Sequence, residues 1–542
     1  MNEPPRRQAG RTGRAAAVGL TAGLAAGLVL TLTTTLLRVV AGVPLPVELV
    51  SDRVIPSLSI HTFGLLLRHL GGPLRGKEIS FVSAFGLQIA AGAVGGVLFG
   101  IGLGWAGSEP SGSGRAAALR PHPIAVTTAA LAALWAFMLL LLKPVLASNY
   151  RGLPPGPAAV VSAAGLLVSL AAYGATVVVA FGILAGGAPA RPAAGRELRP
   201  GRPLTRRAVL VGGASLAAAG LAGRLAGLLY RRATFGAFGY DGLQLRGPRT
   251  RPVTPNDRFY VVTKNLIDPR VADGPWRLQI RGLVRRPRSY SIDELAALPS
   301  VRQEQTLECI SNGVGGGLIS NAVWTGVPLR ALLEAAGPGA GVERVVIHGA
   351  DGYVHTISMD KAMEPTTIVA YRMNGAPLPD RHGYPARMLV PGTYGEVSVK
   401  WVDRIELVDR AVEGYYERQG WRPYFVNTTS RFDSPTEDQV LTLRSSPTVL
   451  LRGVAFAGDR GISAVEFSAD DGRTWTPGRL DYAPTPLAWA LWSGSWTPPG
   501  PGRHVLQVRA TDGHGDLQAA KRRGAVPSGA TGYDQVTVTV RP

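Results

Sequence analysis

A single cysteine in 542 residues, Cys309, excludes any disulfide within the chain. It equally excludes a cysteine-held iron–sulfur cluster and a Cys-x-x-Cys-His haem attachment. Charge is scarce in the first 230 residues, which are long runs of Ala, Leu, Val and Gly unlike any water-soluble core. The rest of the chain mixes polar and apolar residues as a soluble protein does. Acidic residues are outnumbered, 37 against 57 Lys and Arg, for a formal charge of +20. Much of that surplus lies in short stretches between the apolar runs. The basic residues form neither one helix face nor an aromatic-interleaved strand set, so nucleic acid is not an expected partner. A lipid bilayer with anionic heads is.

The apolar runs near 16–40, 79–106, 122–147, 158–186 and 208–229 are each long enough, at helical rise, to cross a hydrocarbon layer of about 30 Å. Five spans are expected. A further stretch, 54–72, is interrupted by His61, Arg68 and His69 and reads as an interfacial helix. Arginines in the N-terminal "RRQAGRTGR", at 115 and 120, and through 190–207 fall on one side if the five spans alternate. Retention of such loops makes that side the cytoplasm. The expected protein is then a multi-pass cell-membrane protein with everything after residue 230 extracytoplasmic. Arg206 and Arg207, ahead of a mildly apolar stretch to 223, resemble a twin-arginine export signal; the same pair also suits plain flanking of the fifth span.

The expected organisation is a transmembrane helical domain over 1–232, a Gly-, Arg- and Pro-rich linker over 233–254, an α+β domain over 255–435 and an immunoglobulin-like β-sandwich over 436–542. In the third, "DRFYVVTKN" and "PWRLQIRGLV" alternate as strands. Ser291 and Glu294 form a capping box, and Gly337 closes the helix of "PLRALLEAAG". In the last, short strands are punctuated by Asp-Gly and Pro-Gly turns.

A lone cysteine is more often a small buried hydrophobe than a reactive group. The neighbours of Cys309 argue otherwise, since glycines at 313, 315, 316 and 317 let backbone approach something closely. Further on, His382, Arg387 and Lys400 share one Gly- and Pro-rich segment, a donor set suited to a phosphate. Taken separately, such residues are commonly just solvated.

Together, "TLECISN" (306–312) and "MNGAPLPDRHGYPARMLVPGTYGEVSVKW" (373–401) resemble the sulfite oxidase family of molybdopterin oxidoreductases, in particular its membrane-anchored bacterial members. The resemblance covers roughly 255–541. It implies a molybdenum–molybdopterin cofactor, with Cys309 as the metal's thiolate ligand. It implies that His382 and Arg387 meet the cofactor phosphate, that Ser398 and Lys400 close the pocket, and that Asp351 lies near the pterin ring. Tyr260 and the stretch Thr263 to Asn265 match the strand over the cofactor. Asn312 would sit beside the metal ligand, and Trp421 stands where the family has a substrate-side tyrosine. The C-terminal part matches the family's dimerisation-type domain, which implies a homodimer. Gly313 and Val314 replace the arginines of sulfite-oxidising members, so sulfite is not the expected substrate.

The implied chemistry is two-electron oxygen-atom transfer on a small molecule, in either direction, served by a separate carrier that is a cytochrome or quinone-linked. No haem is expected in this chain, because His61, His69 and His122 lie near the bilayer edges rather than inside it. Two other readings stand beside this one. One is a membrane-anchored adhesion module without redox activity; the other makes the membrane half a haem carrier passing electrons to quinone.

Overall fold

The structure, a computed structural model, describes residues 5–70, 73–106, 123–185, 206–233, 250–422, 425–442 and 448–541. The chain divides into two units: Met1–Arg53, His69–Tyr150 and Pro155–Thr234 form one, and Val54–Arg68, Arg151–Pro154 and Phe235–Pro542 the other.

Apolar runs free of interior proline fold as helices: α1 (Pro5–Val40), α2 (Pro46–Val54), α3 (Ile60–His69), α4 (Pro73–Ala106), α5 (Pro123–Leu142), α6 (Pro155–Ala185) and α7 (Arg206–Ala233). Among the described residues four helices are long and apolar enough to cross a membrane: Thr12–Ala41, Ile79–Leu103, Ile124–Val145 and Pro155–Ala185. The fifth expected span, 208–229, falls within α7, where the apolar stretch among the described residues is Leu216–Leu229. Helices α1 and α4 pack backbone to backbone through Gly19, Gly23 and Gly27 against Gly92, Gly96 and Gly100. A Cβ at Gly96 would overlap the carbonyl oxygen of Gly19, so this seam admits only glycine. A buried ion pair, Arg38 Nε to Glu48 Oε2 at 3.0 Å, is capped by the Tyr150 ring 3.7 Å from the guanidinium.

In the second unit, strands β1 (Leu278–Gly282), β2 (Arg288–Tyr290), β3 (Val301–Glu308), β4 (Ile319–Pro328), β5 (Arg344–Gly349), β6 (Val354–Ser358), β7 (Ile368–Met373), β8 (Ala376–Pro377), β9 (Arg387–Leu389) and β10 (Val402–Val408) build two sheets. One has the order β2-β1-β10-β5-β6, with β1 and β10 parallel. The other runs β3-β4-β7-β8, with β9 added to β7. A shared core of Trp276, Leu278, Ile347, Val399, Trp401 and Ile405 fixes the first sheet, and Phe259, Trp324 and Leu389 fix the second. The capping box forms as the sequence requires: Glu294 N–H donates to Ser291 Oγ at 3.2 Å, and Ser291 N–H to Glu294 Oε2 at 2.7 Å. Gly337 takes φ +68° beyond the helix Leu329–Ala336.

The C-terminal strands form a four-stranded and a five-stranded sheet. Phe432, Leu451 and Trp492 of one pack with Val465, Leu506 and Val538 of the other, which makes a two-layer sandwich. The strand Thr429–Ser434, ahead of the boundary expected at 435, pairs with Val449–Phe456 in the four-stranded sheet. The expected interfacial stretch 54–72 begins as a tight 3₁₀ turn, Ile55–Ser57, and continues as α3, with residues 71 and 72 outside the described set.

Candidate active site

Cys309 is the first residue after β3, where the strand leaves the sheet and turns back toward β4. Its N–H still donates to Leu318 O at 3.0 Å, and Asn312 N–H donates to Cys309 O at 2.8 Å, closing a tight turn. The side chain of Asn312 holds that turn from inside. Its Nδ2 donates to Glu308 Oε1 at 2.7 Å and its Oδ1 accepts from Leu318 N–H at 3.0 Å. Asn312 therefore positions the loop rather than facing a reactant. Gly316 is required here, because a Cβ would strike Asn312 Oδ1. The half-buried thiol of Cys309 lies 3.0 Å from Ser311 Oγ, and burial pushes it up to about 11.

Opposite, the segment 382–402 is folded onto itself. Arg387 is 4 % exposed; its Nε donates to Ser398 O at 3.2 Å, and its Nη1 lies 3.5 Å from His382 O. Burial lowers its guanidinium to about 10, which still leaves it charged at neutral pH. Ser398 Oγ accepts from Val390 N–H at 3.3 Å. His382 donates from Nε2 to Asn256 O at 2.9 Å, and burial together with Lys400 and Arg387 depresses it to about 3. It is a neutral, oriented ring. Lys400 Nζ donates to Val262 O at 3.0 Å, tying the segment to the stretch that follows Tyr260. Gly383, at φ +108°, allows that return, since a Cβ there would stand 3.0 Å from Lys400 Cα.

Tyr260 and Asn265 reach the same place from the stretch 257–265, which was expected as a strand but folds as turn and irregular backbone. Tyr260 N–H donates to Ser320 Oγ at 3.1 Å, and a Cβ on Gly395 would meet the Tyr260 hydroxyl. The Tyr260 hydroxyl is pushed well up by burial and then by the charges of Cys309, Glu308 and Glu396, with Arg387 pulling the other way, which ties the cysteine loop to the donor segment. Asn265 N–H donates to Thr263 Oγ1 at 3.2 Å, and Asn265 Nδ2 donates to Asp351 Oδ2 at 2.9 Å. Asp351 Oδ1 accepts from Tyr353 N–H at 3.0 Å. Cys309, Tyr260, Thr263, Asn265, Asp351, His382, Arg387, Ser398 and Lys400 thus form one connected set. Trp421 joins it from the side, packed against a cluster that includes Ile310, and its buried indole N–H meets no acceptor among the described residues.

Four residues without a sequence-based role also belong here. Glu308 is buried, and its carboxyl is pushed up to about 7. Glu396, inside the "GTYGEVS" stretch, is pushed up to about 8 by burial and by Glu417. Tyr416 packs between Tyr353 and Tyr415, tilted to the first and edge-on to the second, with ring centroids 5.7 and 5.2 Å away. Its hydroxyl is raised by burial and then by Tyr415 and Cys309. Arg431, on a sandwich strand, reaches back to donate from Nη1 to Gly316 O at 2.7 Å while its Nε pairs with Asp433 at 2.9 Å. The two acids look like ordinary solvated carboxylates in the sequence, and Arg431 carried no signal either.

The chain matches the family model "Oxidoreductase molybdopterin binding domain" over residues 265–416 and "Mo-co oxidoreductase dimerisation domain" over 423–523. Among curated relatives, the nitrate reductase [NADH] of Solanum lycopersicum is 29% identical over 302 residues, covering 44% of this chain and 33% of its own. The nitrate reductase [NADH] of Volvox carteri is 31% identical over 283 residues, covering 42% and 33%. The chain spans about a third of the length of these relatives. Among solved structures, the sulfane dehydrogenase SoxCD from Paracoccus pantotrophus aligns at 27% identity and a TM-score of 0.46, over 50% of this chain and 76% of that one. With both domain models matched in succession, residues 265–523 carry the molybdopterin-binding and dimerisation domains of the sulfite oxidase family of molybdopterin oxidoreductases.

Proposed function

We propose that this protein is a membrane-anchored oxidoreductase that performs oxygen-atom transfer at a molybdenum site held by Cys309, on the extracytoplasmic side. One observation carries the reading: the only thiol of the chain stands at a strand end, turned by Asn312, beside a segment that gathers Arg387, Lys400, His382 and Ser398. The residues fit a pterin cofactor with a phosphate tail. A charged, buried Arg387 and Lys400 suit the phosphate, His382 offers an oriented neutral ring, and Asn265 keeps a buried Oδ1 without a hydrogen-bond partner beside Asp351. When bound, the cofactor supplies two-electron chemistry at molybdenum. The chain's own part is to hold and orient. Cys309 provides a soft thiolate, Asp351 and Asn265 grip the ring side, and Tyr260, Tyr416 and Trp421 wall the reacting face and exclude water.

The substrate side argues against anions. Gly313 and Val314 stand where arginines would bind sulfite, and Arg431 is spent on Asp433 and on Gly316 O. Two buried carboxyls, Glu308 and Glu396, lie near the thiol instead. An uncharged oxide such as a sulfoxide or N-oxide, or its reduced form, suits this wall better than sulfite. The same argument weighs against nitrate, the ion in the names of the relatives.

The arginine-rich segments on one side support the extracytoplasmic orientation, with α7 taken as a fifth crossing after the four long apolar helices. So do Val54–Arg68 and Arg151–Pro154, which follow the first and third spans and belong to the same unit as the oxidoreductase fold. An immunoglobulin-like sandwich matching a dimerisation model supports a homodimer, and electrons would leave through a separate carrier. The test is molybdenum and pterin content of the purified full chain, with turnover per molybdenum on sulfite, nitrate, dimethyl sulfoxide and trimethylamine N-oxide. Absence of pterin from protein made in a cofactor-producing host would overturn the reading. A reporter fused after residue 232 should be active only outside the cytoplasm, and one in the 187–205 loop only inside.

A further inference from the structure

The wall residues Tyr416 and Trp421 flank a 3₁₀ turn, Glu417–Gln419, whose bracing comes from the other end of the chain. The turn is closed from within: Arg418 N–H donates to Gly414 O at 3.2 Å, Gln419 N–H to Tyr416 O at 3.0 Å and Trp421 N–H to Tyr416 O at 3.2 Å. On one side Tyr415 N–H donates to Val354 O at 2.8 Å and fastens it to the sheet. The other side meets residues 55–60, some 364 positions earlier. Gln419, 2 % exposed, donates from Nε2 to Ile55 O at 3.1 Å. That carbonyl also accepts from Leu58 N–H at 3.0 Å, so the two 3₁₀ turns share one acceptor. Pro56 is buried, Ile55 packs on the main core, and Gly420, at φ +99°, faces Ile60 Cγ2 across 3.7 Å. Among the described residues the other amide atom of Gln419, Oε1, is buried without a partner, which an alkyl side chain filling the same space would avoid.

We propose that the stretch Val54–Ile60, which follows the first span, is a working part of the substrate-side wall. Gln419 is the positioning residue through which it holds Tyr416 and Trp421. This rests on the reading of Cys309 as the reacting centre. The membrane half then does more than anchor the enzyme, because the loop after its first span sets the width of the pocket mouth. A substrate is selected by a wall built from residues that lie at opposite ends of the sequence.

The test uses the full-length, molybdenum-loaded protein in lipid nanodiscs, comparing wild type with Gln419→Leu and, should that variant fold poorly, Ile60→Ser. Amide hydrogen exchange over 414–422 should quicken about tenfold, the loss of one hydrogen bond, while 301–308 stays unchanged. Molybdenum content should not move. For whichever of dimethyl sulfoxide, trimethylamine N-oxide or sulfite is turned over, KM should rise more than kcat falls. Unchanged exchange over 414–422 overturns the proposal, as does a fall in kcat with KM unmoved. If none of the three compounds is turned over, the functional reading fails separately and the exchange result alone decides on the brace.

Discussion

Between Glu308 and Leu318 the chain turns on side-chain bonds: Asn312 spans two partners, Arg431 arrives from another domain, and the thiol stays half-buried. Between His382 and Lys400 nearly everything is sunk in the core, and the cationic side chains donate to backbone carbonyls. The first arrangement gives a single atom a defined direction on a backbone that glycines leave adjustable. The second gives a rigid set of donors whose spacing cannot drift. Reaction and retention are thereby assigned to different stretches, which makes the division open to mutation.

The largest effect should come from the loop. Cys309→Ser should keep pterin, measured by fluorescence after acid release, while turnover per molybdenum falls by more than the roughly 10–100-fold typical of outer-sphere changes. Full activity per metal would make the cysteine a core residue and erase the comparison. Arg387→Ala should do the reverse. Losing charge-assisted bonds and leaving two buried carbonyls bare should lower cofactor occupancy by about one to two powers of ten, with near-normal rates in the molecules that remain loaded. Asn312→Ala tests whether the loop depends on one side chain. It strands Glu308 Oε1 and Leu318 N–H, so the chemical-unfolding midpoint should drop by the equivalent of about 1–3 kcal/mol, and exchange should quicken over 309–318 ahead of 387–402.

The smallest effect concerns the far edge of the rigid segment. Burial pushes Asp403 from its ordinary 3.8 up to about 7, with Arg404 opposing and Asp351 adding to the rise. The folded chain holds a proton there that the unfolded chain releases from about pH 4. The stabilisation is therefore full below that pH, declines as pH rises and is gone above about 7. Asp403→Asn should flatten the stability profile between those limits; an unchanged slope would show that Asp403 ionises freely.

What could be read beforehand was local. The capping box of Ser291 and Glu294, the stop at Gly337 and the strand Leu278–Gly282 depend on neighbours within a few positions and form as expected, whereas 257–265 forms no strand. The donor segment was legible because its turns and cations are contiguous. Arg431 was not, since the Gly316 carbonyl it binds lies 115 residues away. Nor was the link from Gln419 to Ile55, because no periodicity relates a residue after the first long apolar helix to a turn near the sandwich. Glu308 and Glu396 look like ordinary solvated acids in the sequence, and only tertiary packing removes their water. The fifth expected span, 208–229, lies within α7, whose apolar stretch among the described residues is Leu216–Leu229.

A lone thiol also turns the chain into its own gauge. A maleimide has one place to react in the entire polypeptide, and a thiolate committed to a metal does not react there. Under the proposed ligation, the intact mass after labelling the folded protein, set against the same labelling in denaturant, would count loaded and empty molecules. No engineered tag is needed, and the count can follow cofactor insertion as it happens.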